Sequence, residues 1–510
     1  MSQPIAVGVE PLTRDQVVAV ARTGAGVRIT EEARTAVTTA RAHIEALAEA
    51  PTPTYGVSTG FGALATRHIP QESRADLQRS LVRSHAAGAG EPVEPEVVRA
   101  MMVLRLSTLT AGHSGVRPET VAALAALIGS GLTPVVHEHG SLGCSGDLAP
   151  LSAVALTLMG EGEVLDAAGT RIPTAEAFAA HGLRPIVLAE KEGLALTNGT
   201  DGMLGMLVLA AADLADLLDI ADLTAAMSVE ALLATDRVFA PELQALRPHP
   251  GQARSAARLT ALLAGSEIVA SHRGADCNRV QDAYSLRCAP QVHGAARDTL
   301  THAELVADRE LASVIDNPVV LADGRVESNG NFHGAPVGYV LDFLAVPVAD
   351  VASMAERRTD RLLDVHRSHG LPPFLAADPG VDSGYMIAQY TQAAVVSELK
   401  RLASPASVDS IPSSAMQEDH VSMGWSAARK LRRGLDGLRT VLAVELLTAA
   451  RAIDLRAPLR PAPATAAALA LLRTRVPGPG PDRHLAPDIA EARHLVTSGE
   501  LLDVVAAQLA

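Results

Sequence analysis

The stretch DGMLGMLVLAAADLADLLDIADLTAAMSVEALLATDR, residues 201–237, decides the fold class of this chain. Alanine and leucine, its commonest residues, are among the strongest helix formers, so the stretch predicts one long helix. Later segments of the same character predict further long helices, at residues 294–315, 334–364, 384–403 and 423–456. Together these segments predict a mainly α protein built on a long antiparallel helix bundle.

The composition of the whole chain supports a helical core. Of its 510 residues, 48% are hydrophobic but only 2% are aromatic, so the core must consist mainly of Ala, Leu and Val. Strand patterns are sparse, and Val135–His137 and Val164–Ile172 are the best candidates. We therefore expect a loop-rich, mostly helical N-terminal domain over residues 1–200 with minor β structure, and a long-helix bundle domain with a C-terminal tail over residues 201–510.

Two threonines near the start of the chain predict helix starts. Thr30 precedes Glu31 and Glu32, which places an N-cap side chain before acids that favour the positive end of the helix dipole. Thr13-x-x-Gln16 has the pattern of a capping box. Each pattern predicts a helix that begins directly after its threonine.

Charge and cysteine content exclude several classes of protein. The formal charge of −14 argues against nucleic-acid binding, which requires basic surfaces. Apolar runs such as Gly202–Ala212 are shorter than the roughly 20 residues of a membrane helix, and the N-terminus MSQPIAVGVEP lacks the pattern of a signal peptide. Three cysteines without a C-x-x-C motif predict neither a disulfide framework nor a zinc site. We expect a cytoplasmic protein with no nucleic-acid or membrane partner.

The stretch SLGCSGDLAP, residues 141–150, contains a candidate nucleophile in Ser145. The serine-hydrolase elbow has the pattern G-x-S-x-G, but here Asp147 occupies the position of the second glycine. The pattern therefore supports a hydrolase only weakly. The simpler interpretation is a Ser-Gly-Asp turn that caps a helix beginning near Asp147.

Two other short patterns are weak by themselves. His137-Glu-His139 places two imidazoles on one face of an extended segment, but no third metal ligand has a suitable spacing. Gly56-x-x-x-Gly60-x-Gly62 is rich in glycine, but it lacks the Lys-Ser/Thr pair of a phosphate-binding loop. Neither pattern predicts a metal or nucleotide site without further support.

The order of seven clusters is far more specific than any one of them. They occur in the sequence as YGVSTGFG (55–62), SHAAG (84–88), GCSGDLAPL (143–151), EGLALTNGT (192–200), QDAYSLR (281–287), NFH (331–333) and QEDH (417–420). In this order and spacing the chain resembles the aromatic amino acid ammonia-lyases, from about residue 5 to residue 505. The resemblance implies elimination of ammonia from an aromatic amino acid.

The resemblance also implies a prosthetic group that the chain makes from itself, 4-methylideneimidazol-5-one. The corresponding residues here are Cys144, Ser145 and Gly146, where the family usually has Ala-Ser-Gly. In the ring closure the nitrogen of Gly146 attacks the carbonyl carbon of Cys144, and glycine permits this close backbone approach. Ser145 then loses its hydroxyl as water, which leaves an electrophilic methylidene. No metal and no external cofactor is expected.

Further roles are implied for residues that match the family's motifs. Tyr55 corresponds to the general base that removes the β-proton, and Arg287 to the residue that binds the substrate carboxylate through its planar fork. Others correspond to residues near the ring, the amine or the substrate, namely Asn198, Gln281, Tyr284 and Phe332. The resemblance further implies a homotetramer in which each active site takes residues from several subunits.

Two residues bear on the choice of substrate. A carboxylate and a histidine suit an imidazole, which is both a donor and an acceptor, and Glu418 and His85 occupy the corresponding positions. Glu418 favours L-histidine, because a phenyl ring gains nothing from a buried carboxylate. The alternatives are a tyrosine or phenylalanine ammonia-lyase, an aminomutase with the same group, or a non-catalytic helical scaffold.

Overall fold

The computed structural model describes residues 3–50, 53–60, 66–274, 277 and 279–509. The chain forms two compact units, and each unit is assembled from three separate stretches of sequence. The first unit comprises Met1–Leu209, Ala303–Asp342 and Pro405–Arg429, and the second comprises Ala210–His302, Phe343–Ser404 and Lys430–Ala510. The predicted boundary at residue 200 between an N-terminal domain and a long-helix bundle domain stays a prediction.

Helices dominate the described part of the chain. They are α1 Arg14–Val18, α2 Glu31–Glu49, α3 Arg74–His85, α4 Pro95–Thr110, α5 Pro118–Ser130, α6 Leu148–Leu158, α7 Thr174–His181, α8 Glu192–Thr197, α9 Asp201–Ala231, α10 Pro241–Ala245, α11 Pro250–Leu263, α12 Glu267–Ala270, α13 Tyr284–Arg287, α14 Ala289–Leu311, α15 Ala335–Leu363, α16 Met386–Leu402, α17 Gly424–Asp454, α18 Pro463–Arg473, α19 Leu485–Ser498 and α20 Glu500–Leu509. The prediction of a mainly α fold is confirmed.

Short strands form small sheets in the first unit. They are β1 Ile5–Val7, β2 Val27–Ile29, β3 Ala89–Pro92, β4 Thr133–Pro134, β5 His137–His139, β6 Glu163–Leu165, β7 Arg171–Pro173, β8 Val319–Val320 and β9 Val326–Glu327. β1 and β2 pair in parallel, whereas β3 with β5, β4 with β6, β6 with β7 and β8 with β9 pair antiparallel. The predicted minor β content is confirmed, and both segments singled out in the sequence contribute to strands.

The predicted helix starts agree with the structure. The Thr30 hydroxyl accepts a hydrogen bond from the backbone nitrogen of Ala33 at 3.2 Å, at the start of α2. Thr13 and Gln16 form both bonds of a capping box at the start of α1. The long helix predicted over residues 201–237 ends earlier, at Ala231, because Leu233 has a φ of 50°, which an α-helix cannot accommodate.

Contacts between the long helices fix their relative directions. The helices α9, α15 and α17 run one way, and α14 and α16 run the other. Residue numbers rise together along parallel helices, as in Asp213–Arg439 and Thr224–Glu445 between α9 and α17, and in Val348–Gly434 and Arg358–Glu445 between α15 and α17. They run in opposite senses along antiparallel helices, as in Asp219–Arg297 and Asp222–His293 between α9 and α14, and in Gln392–Val441 and Leu399–Gly437 between α16 and α17. Successive long helices therefore alternate in direction, as the antiparallel prediction requires.

A buried polar network joins three of these helices in the second unit. Glu445 of α17 receives hydrogen bonds from the hydroxyls of Thr224 and Ser228, both at 2.8 Å, and from Arg358 of α15 at 2.9 Å. All four residues are fully buried. Because a buried carboxylate without partners is strongly unfavourable, this network constrains the register between the helices.

The helix α15 is long and apolar enough to cross a membrane by length and composition. However, 61% of its most apolar window is buried inside the protein. It also carries Arg358, whose guanidinium belongs to the buried network. These properties are those of a core helix.

Candidate active site

A tight turn precedes helix α6 and contains the tripeptide Cys144-Ser145-Gly146. Gly146 has a φ of 84°, in the left-handed region that favours glycine. A Cβ atom at this position would lie 2.2 Å from the carbonyl oxygen of Gly199, so a larger residue does not fit. The backbone nitrogen of Asp147 donates to the same oxygen at 2.6 Å. The turn is therefore held against the loop that follows α8.

Asp147 holds this turn in place through hydrogen bonds to both of its carboxylate oxygens. Its Oδ1 accepts from the Ser141 hydroxyl at 2.8 Å, and its Oδ2 accepts from the backbone nitrogen of Met203 at 2.9 Å. Burial raises the pKa of the Asp147 carboxyl to about 7. The helix α6 begins at Leu148, next to this turn, as predicted. The predicted cap is wrong in one respect, because the Asp147 side chain does not bond to α6 but to the first turn of α9.

Ser145 has a polar partner on its hydroxyl and another on its carbonyl. Its hydroxyl donates to Glu418 Oε1 at 2.8 Å, and its carbonyl oxygen accepts from Asn198 Nδ2 at 2.7 Å. The thiol of Cys144 donates to Glu418 Oε2 at 3.2 Å. Burial and the charge of Glu418 raise the pKa of the Cys144 thiol to about 11. The hydroxyl partner of Ser145 is thus a carboxylate rather than the histidine of a hydrolase triad.

Several predicted site residues line one cavity in the first unit. The cavity has a volume of about 770 Å³, and Tyr55, His85, Ser145, Asn198 and Glu418 all contribute to its wall. Leucines from three helices complete the apolar part of the wall, namely Leu81, Leu148 and Leu194. An apolar chamber with a few converging polar groups is typical of a small-molecule site.

His85 is the last residue of α3 and reaches the cavity from its end. Its Nδ1 lies 3.0 Å from the Ser84 hydroxyl. Burial lowers the pKa of the His85 imidazole, and the negative charge of Glu418 opposes this shift only in part. The ring is therefore neutral at neutral pH, with one nitrogen as donor and the other as acceptor.

Tyr55 stands in a loop whose glycine is closely packed. Gly56 has a φ of 75°, and a Cβ atom there would lie 3.2 Å from side-chain atoms of Leu194 and Pro318. The hydroxyl of Ser58 accepts from the backbone nitrogen of Thr54 at 3.0 Å. Positions 61 and 62, which end the glycine-rich motif, lie outside the described residues.

Phe332 does not line the cavity, although its segment contacts the tripeptide turn. The residue is half-buried and precedes α15. Two residues later, the backbone nitrogen of Gly334 donates to the carbonyl oxygen of Gly143 at 3.1 Å. Next to it, His333 stacks on His420, with ring centroids 5.5 Å apart.

The second unit contains Gln281, Tyr284 and Arg287. The Tyr284 side chain is 69% exposed, and the Arg287 guanidinium lies over its ring at 4.6 Å. The Arg287 Nε is buried and has no hydrogen-bond partner among the residues that the structure describes. Gln281 is exposed and lines a separate cavity of about 760 Å³ with Arg279 and Asp282. Gln281 and Tyr284 are thus exposed in this unit, and Arg287 retains one unused hydrogen-bond donor.

The structure also identifies site residues that the sequence did not suggest. Ser413 donates its hydroxyl to Glu418 Oε2 at 3.1 Å, and Asn317 lines the cavity. Beside Asn317, Asp316 forms a fully buried ion pair with Lys191 at 2.7 Å. The only sequence signal for these residues is that Asn317 precedes a proline, which does not indicate a site.

The metal hypothesis for His137-Glu-His139 gains no support from the described residues. His137 and His139 lie in β5, and His137 Nδ1 is 2.7 Å from the carbonyl oxygen of Gly90. In the part of the chain that the structure describes, no group of three His, Cys, Asp or Glu side chains could hold a metal ion.

Comparison with known proteins gives one consistent result. A family model described as aromatic amino acid lyase matches residues 12–474. The chain is 66% identical to a histidine ammonia-lyase of Streptomyces avermitilis over 499 residues, which is 98% of this chain and 97% of the relative. Among solved structures, a tyrosine aminomutase of Streptomyces globisporus aligns with a TM-score of 0.94 at 39% identity, covering 99% of both chains. A histidine ammonia-lyase of Trypanosoma cruzi aligns with a TM-score of 0.91 at 38% identity, covering 99% of this chain and 96% of that one.

Proposed function

The chain belongs to the aromatic amino acid lyase family, and on this premise we propose that it removes ammonia from L-histidine to give trans-urocanate. This reaction opens the degradation of histidine. The observation that carries the proposal is the environment of Ser145, which lies in a Cys-Ser-Gly tripeptide between Glu418 and Asn198. The 66% identity to a histidine ammonia-lyase supports histidine as the substrate.

The tripeptide fits the prosthetic group of the family in its residue types and its packing. Gly146 has no room for a side chain, and its left-handed φ suits a tight backbone turn. In the proposed closure the Gly146 nitrogen bonds to the Cys144 carbonyl carbon, and that carbonyl oxygen leaves as water with the two amide protons. Ser145 then loses its hydroxyl and its α-proton as a second water. The finished group supplies an electrophilic methylidene that makes the substrate amine a better leaving group.

Asn198 polarises the carbonyl group of Ser145, which becomes part of the proposed ring. Its Nδ2 donates to the Ser145 carbonyl oxygen, which remains a carbonyl after the proposed ring closure. A hydrogen bond to this oxygen stabilises negative charge that develops there during the reaction. Tyr55, in the same cavity, is proposed to remove the β-proton of the substrate.

Glu418 and His85 are proposed to select the imidazole. Glu418 presents an anionic acceptor to an imidazole N–H, and the neutral ring of His85 can donate to or accept from the other nitrogen. A phenyl ring has no donor for the carboxylate in the cavity, which disfavours L-phenylalanine as a substrate.

Gln281, Tyr284 and Arg287 are proposed to serve an active site formed with neighbouring copies in a homotetramer. The exposure of Tyr284 and the unpartnered Arg287 Nε support this assignment, because both groups have capacity for further contacts. Arg287 would bind the substrate carboxylate, Tyr284 would lie near the ring, and Gln281 would orient the substrate. Phe332 would cover the ring. The enzyme is proposed to be cytoplasmic and to need no metal or external cofactor.

A specific observation keeps a second candidate open, namely an aminomutase or a lyase for tyrosine or phenylalanine. The aligned tyrosine aminomutase has a TM-score of 0.94. The deciding experiment incubates the full-length protein with L-His, L-Tyr and L-Phe and follows the absorbance of urocanate and of the cinnamates. We expect urocanate and free ammonia from L-His. A preference for L-Tyr or L-Phe, or release of a β-amino acid without ammonia, would contradict the proposal.

A further inference from the structure

The carboxylate of Glu418 is held through both of its oxygens. Oε1 accepts only the Ser145 hydroxyl among the side-chain bonds described for it, at 2.8 Å. Oε2 accepts from the Cys144 thiol at 3.2 Å and from the Ser413 hydroxyl at 3.1 Å. The two oxygens therefore have different donors, and the proposed ring formation removes the donor of Oε1 but not those of Oε2.

The Ser145 contact is temporary if the tripeptide cyclises as proposed. Ring closure and dehydration remove the Ser145 hydroxyl as water, so Glu418 Oε1 loses its donor and becomes free towards the cavity. The Cys144 side chain takes no part in that chemistry, because only the carbonyl carbon of this residue reacts. The thiol therefore persists next to Oε2 after the hydroxyl has gone.

The backbone around Glu418 leaves the carboxylate dependent on such side-chain contacts. Glu418 pairs with Ser413 through a single β-bridge, and the turn between them has positive φ values at Ser414, Ala415 and Met416. Met416 is exposed at the tip of the turn. A carboxylate on a short surface turn keeps one orientation only if side chains hold it.

The thiol of Cys144 is suited to remain a hydrogen-bond donor at neutral pH. Cys144 is buried, and its burial together with the nearby carboxylate raises the pKa of the thiol to about 11. The thiol therefore carries its proton at neutral pH. The alanine that the family usually has at this position offers no donor.

We propose that Cys144 is a positioning residue for substrate recognition: its thiol holds Glu418 Oε2, so that Oε1 faces the imidazole N–H of the substrate. The inference rests on the proposed function, since it assigns the imidazole to Glu418. It gives the cysteine of the tripeptide a role beyond its carbonyl group. The Ser413 hydroxyl donates to the same oxygen.

The test measures binding without turnover. In a Ser145→Ala background the hydroxyl is absent and the ring cannot form, so the full-length protein binds L-histidine without consuming it. Calorimetry then gives the Kd for L-histidine with Cys144, Cys144→Ala or Cys144→Ser. We expect Cys144→Ala to raise the Kd about fivefold, as for loss of one modest hydrogen bond, and Cys144→Ser to restore it. In a Ser145→Ala/Glu418→Gln background, Cys144→Ala should have no further effect.

Cys277→Ala is the matched control, because it removes an exposed thiol and should leave the Kd unchanged. An unchanged Kd in Cys144→Ala would overturn the positioning role. So would an equal loss with Glu418→Gln present, or a Cys144→Ser protein that binds as weakly as Cys144→Ala. If the Ser145→Ala protein bound no L-histidine at all, the proposed function would fail, whereas binding of L-histidine with a Kd that Cys144→Ala leaves unchanged would refute the positioning role alone.

A second readout uses the protein with Ser145 intact. Mass spectrometry of the peptide that contains residues 144–146 reports ring formation independently of activity. We expect Cys144→Ala to lose two water molecules like the unaltered chain, and to show a raised KM for L-histidine with a smaller change in kcat. If neither Cys144→Ala nor Cys144→Ser lost the waters, the role of the cysteine would lie in ring formation and the positioning role would be refuted.

Discussion

The region around Ser145 and the region around Tyr284 differ in how far their polar groups find hydrogen-bond partners within one chain. Ser145 has a partner on its hydroxyl and on its carbonyl, and the adjoining Asp147 is fully buried with both oxygens bonded. Tyr284 is largely exposed, and the buried Nε of Arg287 has no acceptor within the described part of the chain. The polar groups of the first region are paired within the chain, whereas the second region leaves groups available for the contacts with another copy that the proposed homotetramer requires.

The largest effect is expected from the first region. Ser145→Ala removes the hydroxyl that leaves in the proposed formation of the electrophile, so turnover of L-histidine should fall by roughly a thousandfold or more, because the proposed prosthetic group carries the difficult step. Circular dichroism and thermal melting should show a retained fold, since the exchange removes one oxygen from a half-buried side chain. Turnover close to that of the unaltered protein would refute the proposed chemistry.

The contrast between the regions predicts a specific pattern of complementation. Ser145→Ala and Arg287→Ala proteins should each be inactive, but co-expression should recover activity if the two residues come from different copies. Random mixing leaves about one quarter of the sites with both native residues. The recovered activity is measured as urocanate formed per mole of protein.

The control for complementation uses two residues of the first region. Ser145 and Asn198 are in direct contact within one chain, so Ser145→Ala and Asn198→Ala should not complement each other. Recovery of activity with the control pair, or no recovery when Ser145→Ala is co-expressed with Arg287→Ala, would contradict the distinction between the two regions.

A smaller and selective effect is expected at Glu418. Glu418→Ala should reduce kcat/KM for L-histidine by roughly 10- to 100-fold, because a site that hydrogen-bonds its substrate loses that discrimination when the partner is removed. Residual turnover of L-phenylalanine should change much less. Steady-state kinetics on both amino acids checks this, and an equal loss on both would remove Glu418 from imidazole recognition.

The smallest effect concerns the pH dependence of stability at Asp147. Burial raises the pKa of this carboxyl from 3.8 to about 7, so its contribution to stability is fully present below pH 3.8 and is lost as the pH rises through about 7. Asp147→Asn does not titrate there. The Tm of the variant minus that of the unaltered protein should therefore increase from pH 5 to pH 8, as measured by calorimetry. A constant difference would show that the buried carboxyl does not titrate in this range.

Local patterns were sufficient to predict the helices, whereas most site contacts are too distant in sequence for such patterns. Alanine and leucine content predicted α9, and Thr30 predicted the start of α2, because both depend on neighbouring residues. The early end of α9 depends on the left-handed backbone at Leu233, for which the sequence has no glycine signal.

The residues of the cavity were predicted through resemblance to a family and not through local chemistry. The hydrogen bond from Ser145 to Glu418 spans 273 positions, and no periodicity in the sequence connects them. Asp147 was expected to cap the adjacent helix, but it bonds to Met203, because the fold brings the first turn of α9 beside it. The exposure of Tyr284 follows from tertiary structure alone.

The mass of the peptide that contains Cys144, Ser145 and Gly146 tests the central claim most directly. Proteolysis of the full-length protein followed by mass spectrometry measures this peptide without reference to any substrate. If the electrophile forms, the peptide has a mass lower than that of the encoded sequence by two water molecules. In the Ser145→Ala variant the peptide has the full mass of its encoded sequence. An active protein whose native tripeptide retains both waters would contradict the claim.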